Sequence, residues 1–297
     1  MKQIERIVCP VDFSPASEAA AEYALQLAQR LKARVAFLHS LYAQLAGVYS
    51  ETLDLDELYR SVRREADAKL GALRARAEAA EVPAELAVVE GPVAPAVREF
   101  AQRWSADLVV MATHGRQGLR RWLLGSTAEG LLRSLPAPLL TMARPDKQHL
   151  NSRLEHVVVG VQFDPETDGP IMEYALMLAS KHGARLTLVH ALEGLNIAAR
   201  QDYTDILKEG LEARLWRLVP AELRELGTVS VVVEEPLPAE ALLRWGGRED
   251  VDLVVIGARR KGLVVRALMG ATVEALVRQS PCPVVTVPVA AYPAKEA

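Results

Sequence analysis

From Arg6 to Val11 the chain reads RIVCPV, apolar on consecutive positions. From Ser17 to Leu31 the small and apolar residues Ala20, Ala24, Leu27 and Leu31 recur at helical spacing instead. The change of period predicts a strand buried on both faces, followed by a helix with one buried face. Ser14 or Ser17 is placed to cap that helix. The same alternation continues. It predicts strands at Val35–His39, Leu86–Val89, Leu108–Met111 and Pro138–Met142, and helices near Leu55–Ala80, Pro95–Trp104 and Ser126–Arg133. Strands that read as unbroken Val, Leu and Met runs belong to parallel sheets covered on both sides. Strand and helix in strict alternation give an α/β domain, Rossmann-like, with five parallel strands and helices on both faces.

The pattern is written twice. YALQLAQRLKARVAFLHSL from Tyr23 and YALMLASKHGARLTLVHAL from Tyr174 match at about half their positions without a gap. ADLVVMATHG from Ala106 pairs with VDLVVIGARR from Val251, and LPAPLLTMA with SPCPVVTVP. A period of about 150 residues is a whole domain, not a solenoid unit. Two tandem domains are expected, 1–146 and 153–290, joined across the polar stretch RPDKQHLNSR.

Composition narrows the function. A net charge of −3 over 297 residues gives no bulk attraction to nucleic acid or to an anionic membrane. No stretch approaches the length of a membrane span, and the N-terminal MKQIERIVCPVDF has no signal core, so a cytoplasmic location is expected. The two cysteines, Cys9 and Cys282, sit in apolar runs and read as small buried hydrophobes. There is no Walker A loop, G-x-G-x-x-G, H-E-x-x-H or nucleophile elbow. His39 and His190 end equivalent strands in both halves, which favours a packing role. His114 is the nearest candidate base in the loop after the fourth strand, but it has no partner at fixed spacing.

Ligands of such sheets lie at the carboxyl ends of the strands, where strand order reverses. After the first strand stand Pro10, Val11 and Asp12. After the fourth stand Met111, Ala112, Thr113, His114 and Gly115, then nine residues, then Gly125, Ser126 and Thr127. Glycine lets a backbone approach phosphate oxygens closely and tolerates positive φ. Ser126 opens a helix whose N-terminus carries N–H donors and partial positive charge, and the Ser126 and Thr127 hydroxyls add donors. The result is a local anion site. Gly125-Ser126 also reads as a plain turn and helix cap, and Asp12 as a turn former.

These residues resemble the universal stress protein family, over nearly the whole chain as two tandem domains. Its ATP-binding members carry Gly-x-x-Gly, nine residues, then Gly-Ser/Thr in this loop, and an Asp after the first strand. The first half departs once, with Ala112 at the first glycine. The resemblance implies a nucleotide site in the first domain made of Pro10, Val11, Asp12, Ser40, Met111, Ala112, Gly115, Arg116, Gly125, Ser126 and Thr127, with Asp12 and Ser40 on the adenosine side. It implies ATP, or ADP or AMP, as ligand, with Mg²⁺ arriving on the phosphates. The expected role is a nucleotide-binding stress or regulatory protein. A weak ATPase and a non-binding interaction module are the alternatives. Expected partners are the nucleotide, a protein of unspecified identity and a second copy in a homodimer, with neither nucleic acid nor membrane.

The second half departs further. Gly257 keeps the first glycine, but Arg260 replaces the second, Ala271 follows Gly270, and Gln162 replaces the acid. Arg260 either fills the phosphate position or pairs with an anion. The three losses together favour a closed, structural half.

Overall fold

The structure, a computed structural model, describes residues 3–41, 55–113, 125–143, 154–192, 201–224, 227–235, 237–259 and 270–289. The chain forms two compact units, one of residues 3–151 and one containing residues 152–297.

In the first domain β1 (Arg6–Pro10), β2 (Arg34–Ser40), β3 (Ala84–Val89), β4 (Leu108–Ala112) and β5 (Leu139–Met142) pair in parallel in the order β3-β2-β1-β4-β5. β1 lies between β2 and β4, with Ile7 opposite Val35 on one side and Leu108 on the other. Strand order therefore reverses at β1 and β4. All five residues of β4 are buried, as a strand covered on both faces requires.

Helix α1 (Pro15–Leu31) begins on Ser14, whose side chain accepts a hydrogen bond from Ser17 N. Pro15 takes the first helical position, where its missing N–H costs nothing. The helix ends on Lys32 in the left-handed region at φ 56°, with its N–H returned to Ala28 and Gln29 carbonyls. The expected face, Ala20, Ala24, Leu27 and Leu31, is buried. α2 (Leu55–Ala79), α3 (Val93–Arg103) and α4 (Ser126–Ser134) complete the domain. Helix α3 starts two residues before the expected Pro95. That proline falls in the first turn, where a backbone donor has no intrahelical acceptor to lose. Strand β3 starts two residues before the expected Leu86, because Ala84 and Glu85 pair with β2 although this strand is only half-buried.

The second domain repeats the plan with β6 (His156–Gly160), α5 (Pro165–His182), β7 (Arg185–Ala191), α6 (Gln201–Leu218), the short α7 (Ala221–Arg224), β8 (Val229–Glu234), α8 (Pro238–Gly246), β9 (Leu253–Arg259), α9 (Ala271–Gln279) and β10 (Val284–Val289). Its strands are parallel in the order β10-β9-β6-β7-β8. Helix α5 is one residue longer than α1, and the extra residue falls between Phe163, which matches Phe13, and Tyr174, which matches Tyr23.

Candidate functional site

The carboxyl edge of the first sheet gathers most of the expected residues. Pro10 ends β1 and is buried. Val11 continues it, with its N–H donating to the Leu38 carbonyl at 2.8 Å. Asp12 follows, half-buried, and its Oδ1 accepts from Ser14 N at 3.0 Å. That bond is the turn-forming role expected of an Asp before a helix. The Asp12 N–H is capped in turn by Ser17 Oγ at 3.3 Å. Ser40, at the end of β2, donates from its hydroxyl to the Gly91 carbonyl at 2.8 Å, tying β2 to the turn before α3. Met111 and Ala112 end β4 and are buried. Gly115, Arg116 and His114 lie outside the described residues.

Gly125 caps α4 at φ −62° and ψ 139°, so its glycine is not needed for a left-handed conformation. What it needs is space. A Cβ there would sit 2.8 Å from the Thr113 carbonyl oxygen, and the Gly125 N–H donates to that same oxygen at 3.3 Å. The structure thus gives this glycine a packing reason. Its close neighbour is the chain's own backbone just past β4, and its donor is used there. The donors left for a ligand are those of the first turn of α4, residues 126–128, which have no intrahelical acceptor. Ser126 is exposed beside them and Thr127 half-buried.

His39 takes the packing role. Its Nδ1 donates to the Val11 carbonyl at 2.7 Å, and the Phe13 ring packs against it at a tilt, with centroids 4.5 Å apart. His190 repeats this with Val161 at 2.9 Å and Phe163 at 4.3 Å. Phe13 and Phe163 are both left-handed, at φ 60° and 58°, a conformation uncommon for a bulky residue. Neither was singled out from the sequence, although V-x-F-x-P in both halves was the available signal. Thr113 was equally hidden, because its contribution is a main-chain carbonyl.

Cys9 and Cys282 are buried. Desolvation pushes the Cys9 thiol far above its ordinary value and that of Cys282 up to about 12. Neither is a thiolate at neutral pH.

In the second domain the matching edge carries Gln162, Gly257, Gly270, Ala271 and Thr272; Arg260 lies outside the described residues. Gly257, the retained motif glycine, is held by packing: a Cβ there would fall 2.5 Å from Thr167 Cγ2 on α5. Gly270 caps α9 at φ −57°, and a Cβ there would meet nothing within 4 Å. The extra residue in α5 also changes the cap. The Gln162 N–H donates to Asp168 Oδ1 at 3.0 Å, where Asp12 N–H uses Ser17. Asp168 is 2% exposed and its Oδ2 has no hydrogen-bond partner, so desolvation raises its pKa. A cavity of about 540 Å³ opens at this edge.

Among the described residues no cluster of His, Cys, Asp and Glu is arranged to hold a metal ion. Also among them, no helix is long and apolar enough to cross a membrane.

Two such domains, each with this strand order and a helix N-terminus facing the order reversal, have counterparts among known proteins. A model of the universal stress protein family matches residues 3–142 and again residues 153–288. The chain belongs to the universal stress protein family. It is 31% identical over 145 residues to a universal stress protein of Methanocaldococcus jannaschii, covering 48% of this chain and 85% of the relative. It is 34% identical over 116 residues to one of Thermus aquaticus, covering 37% and 81%. A solved universal stress protein of Archaeoglobus fulgidus matches at TM-score 0.70 and 22% identity over 96% of this chain and 98% of that one, a likeness of fold. These two relatives match about half of this chain or less, as single-domain counterparts of a tandem universal stress protein do.

Proposed function

We propose that the first domain of this universal stress protein binds an adenine nucleotide, ATP or its products ADP and AMP, and acts as a nucleotide-responsive regulatory module. The observation that carries the reading is the placement of exposed Ser126 at the N-terminus of α4, just past the β4 end where strand order reverses. Phosphate oxygens accept hydrogen bonds from the first-turn N–H groups of α4 and from the Ser126 and Thr127 hydroxyls. Asp12, at the end of β1, faces the adenosine side, with Val11, Met111 and Ala112 as apolar walls and Ser40 beyond. By motif, Gly115 and Arg116 complete the phosphate loop. Mg²⁺ enters on the nucleotide's phosphates with few protein ligands.

The second domain does not take ATP in the same way, since Gln162 and Ala271 remove a carboxylate and a hydroxyl from the matching positions. Calorimetric titration with ATP should therefore give about one site per chain, and mass analysis should find an adenine nucleotide on freshly purified protein. Two equal sites, or none, would overturn the reading. Turnover of ATP measured on the same sample separates a binding module from a slow hydrolase.

A further inference from the structure

We infer that the second domain has a ligand site of its own, for a predominantly apolar small molecule. The cavity of about 540 Å³ lies wholly within that domain, at the carboxyl ends of β6, β7 and β9. Its volume is within the range of small-molecule pockets. Val161, Val189, Leu211, Leu242, Ile256 and Val273 form its walls, and no Asp, Glu, Lys or Arg lines it among the described residues. An ionised group set against these walls would lose its hydration, which is costly. An apolar one gains by burial.

Three substitutions between the domains point the same way. The half-buried carboxylate of Asp12 becomes the exposed amide of Gln162, the exposed hydroxyl of Ser126 becomes the methyl of Ala271, and Gly257 lets α5 close against β9. The polar side chains on the lining are the Gln162 amide, the Thr272 hydroxyl and His190, whose Nδ1 is held by the Val161 carbonyl. They suit a carbonyl or hydroxyl on an otherwise apolar molecule.

A separate observation concerns exposed apolar side chains near the lining in sequence. The exposed large hydrophobic residues among the described part of the chain are Ile206, Leu207 and Leu237, all in the second domain. Leu207 is one helical turn from Leu211, and Leu237 adjoins Pro238, which also lines the cavity. Exposed apolar side chains close in sequence to the lining fit a ligand that is longer than the cavity is deep.

The test uses Nile red, an uncharged apolar dye, on the full chain. Its fluorescence should rise to saturation at about one dye per chain, and ATP should not displace it. Ala191→Phe, which fills the cavity at the end of β7, should weaken dye binding at least tenfold. Leu211→Glu, which charges the wall from α6, should do the same with no bulk added to the sheet. Gly71→Ala, at an exposed position of the other domain where a Cβ meets nothing within 4 Å, should leave it unchanged. Displacement by ATP, dye binding indifferent to both cavity variants, or loss of dye binding in Gly71→Ala would overturn the inference, as would no binding at all. ATP calorimetry on the same preparations reads the first-domain proposal separately.

Discussion

Gly125→Ala and Gly270→Ala form a matched pair. Both glycines are helix caps at nearly the same φ and ψ, −62° and 139° against −57° and 139°. Alanine tolerates both conformations, and both variants share the same modest loss of capping preference and the same gain from a less flexible unfolded chain. They differ in one respect. At 125 the new Cβ lies 2.8 Å from the Thr113 carbonyl oxygen, about 0.6 Å inside the 3.4 Å at which ordinary contact begins; at 270 it meets nothing within 4 Å. The obstacle is main chain, so no side chain can rotate away. Either α4 or the end of β4 must move, and the 3.3 Å bond from Gly125 N to Thr113 O goes with it. Overpacking of this kind costs about 1–3 kcal/mol, while Gly270→Ala should stay within about 0.5 kcal/mol of the parent. Two-domain chains need not unfold in one step, so the assay is native-state hydrogen exchange. Amides of α4 should exchange roughly ten- to a hundredfold faster in Gly125→Ala, and those of α9 should change little in Gly270→Ala. Equal effects would show that the Thr113 contact relaxes freely and that the glycine at 125 has some other reason.

Asp12→Asn keeps the side-chain oxygen that accepts from Ser14 N and removes only the charge, so thermal stability should hold while ATP affinity falls by about 1–3 kcal/mol, the scale of a lost hydrogen bond to a charged group; unchanged affinity would leave Asp12 with its turn-forming role alone. Asp168→Asn tests the buried carboxyl. Its folded pKa is raised above 3.8 by desolvation, so its stabilising share is fully present below the unfolded pKa and is lost as pH rises through the folded one. Asparagine cannot lose that proton, so the stability of the variant relative to the parent should improve from pH 4 to pH 7, and a difference independent of pH would refute the assignment.

The sequence made the repeated domains, their strands and the buried face of α1 legible because those follow from hydrophobic period and caps, which are local. What it left ambiguous was the reason for each glycine. A glycine required by a ligand and one required by a neighbouring backbone look identical in a motif, and only distance separates them. Gly125 is held by the Thr113 carbonyl and Gly257 by the Thr167 methyl, so the presence of Gly257 in the second half has a packing reason that the motif does not reveal. The one-residue insertion in α5 was visible as a shift in the repeat, yet its effect was not. It exchanges a serine cap for a buried aspartate with an unpaired oxygen, which depends on where a helical turn places a side chain relative to β6. Loss of the motif's polar side chains also does not imply loss of space. The substitutions at Gln162 and Ala271 remove charge and a hydroxyl, while the apolar strand ends that wall the cavity are kept by the demands of the sheet itself. A fold that must bury Val161, Val189 and Ile256 at one edge keeps apolar strand ends there, and the chemistry of that edge then follows from the few side chains that changed.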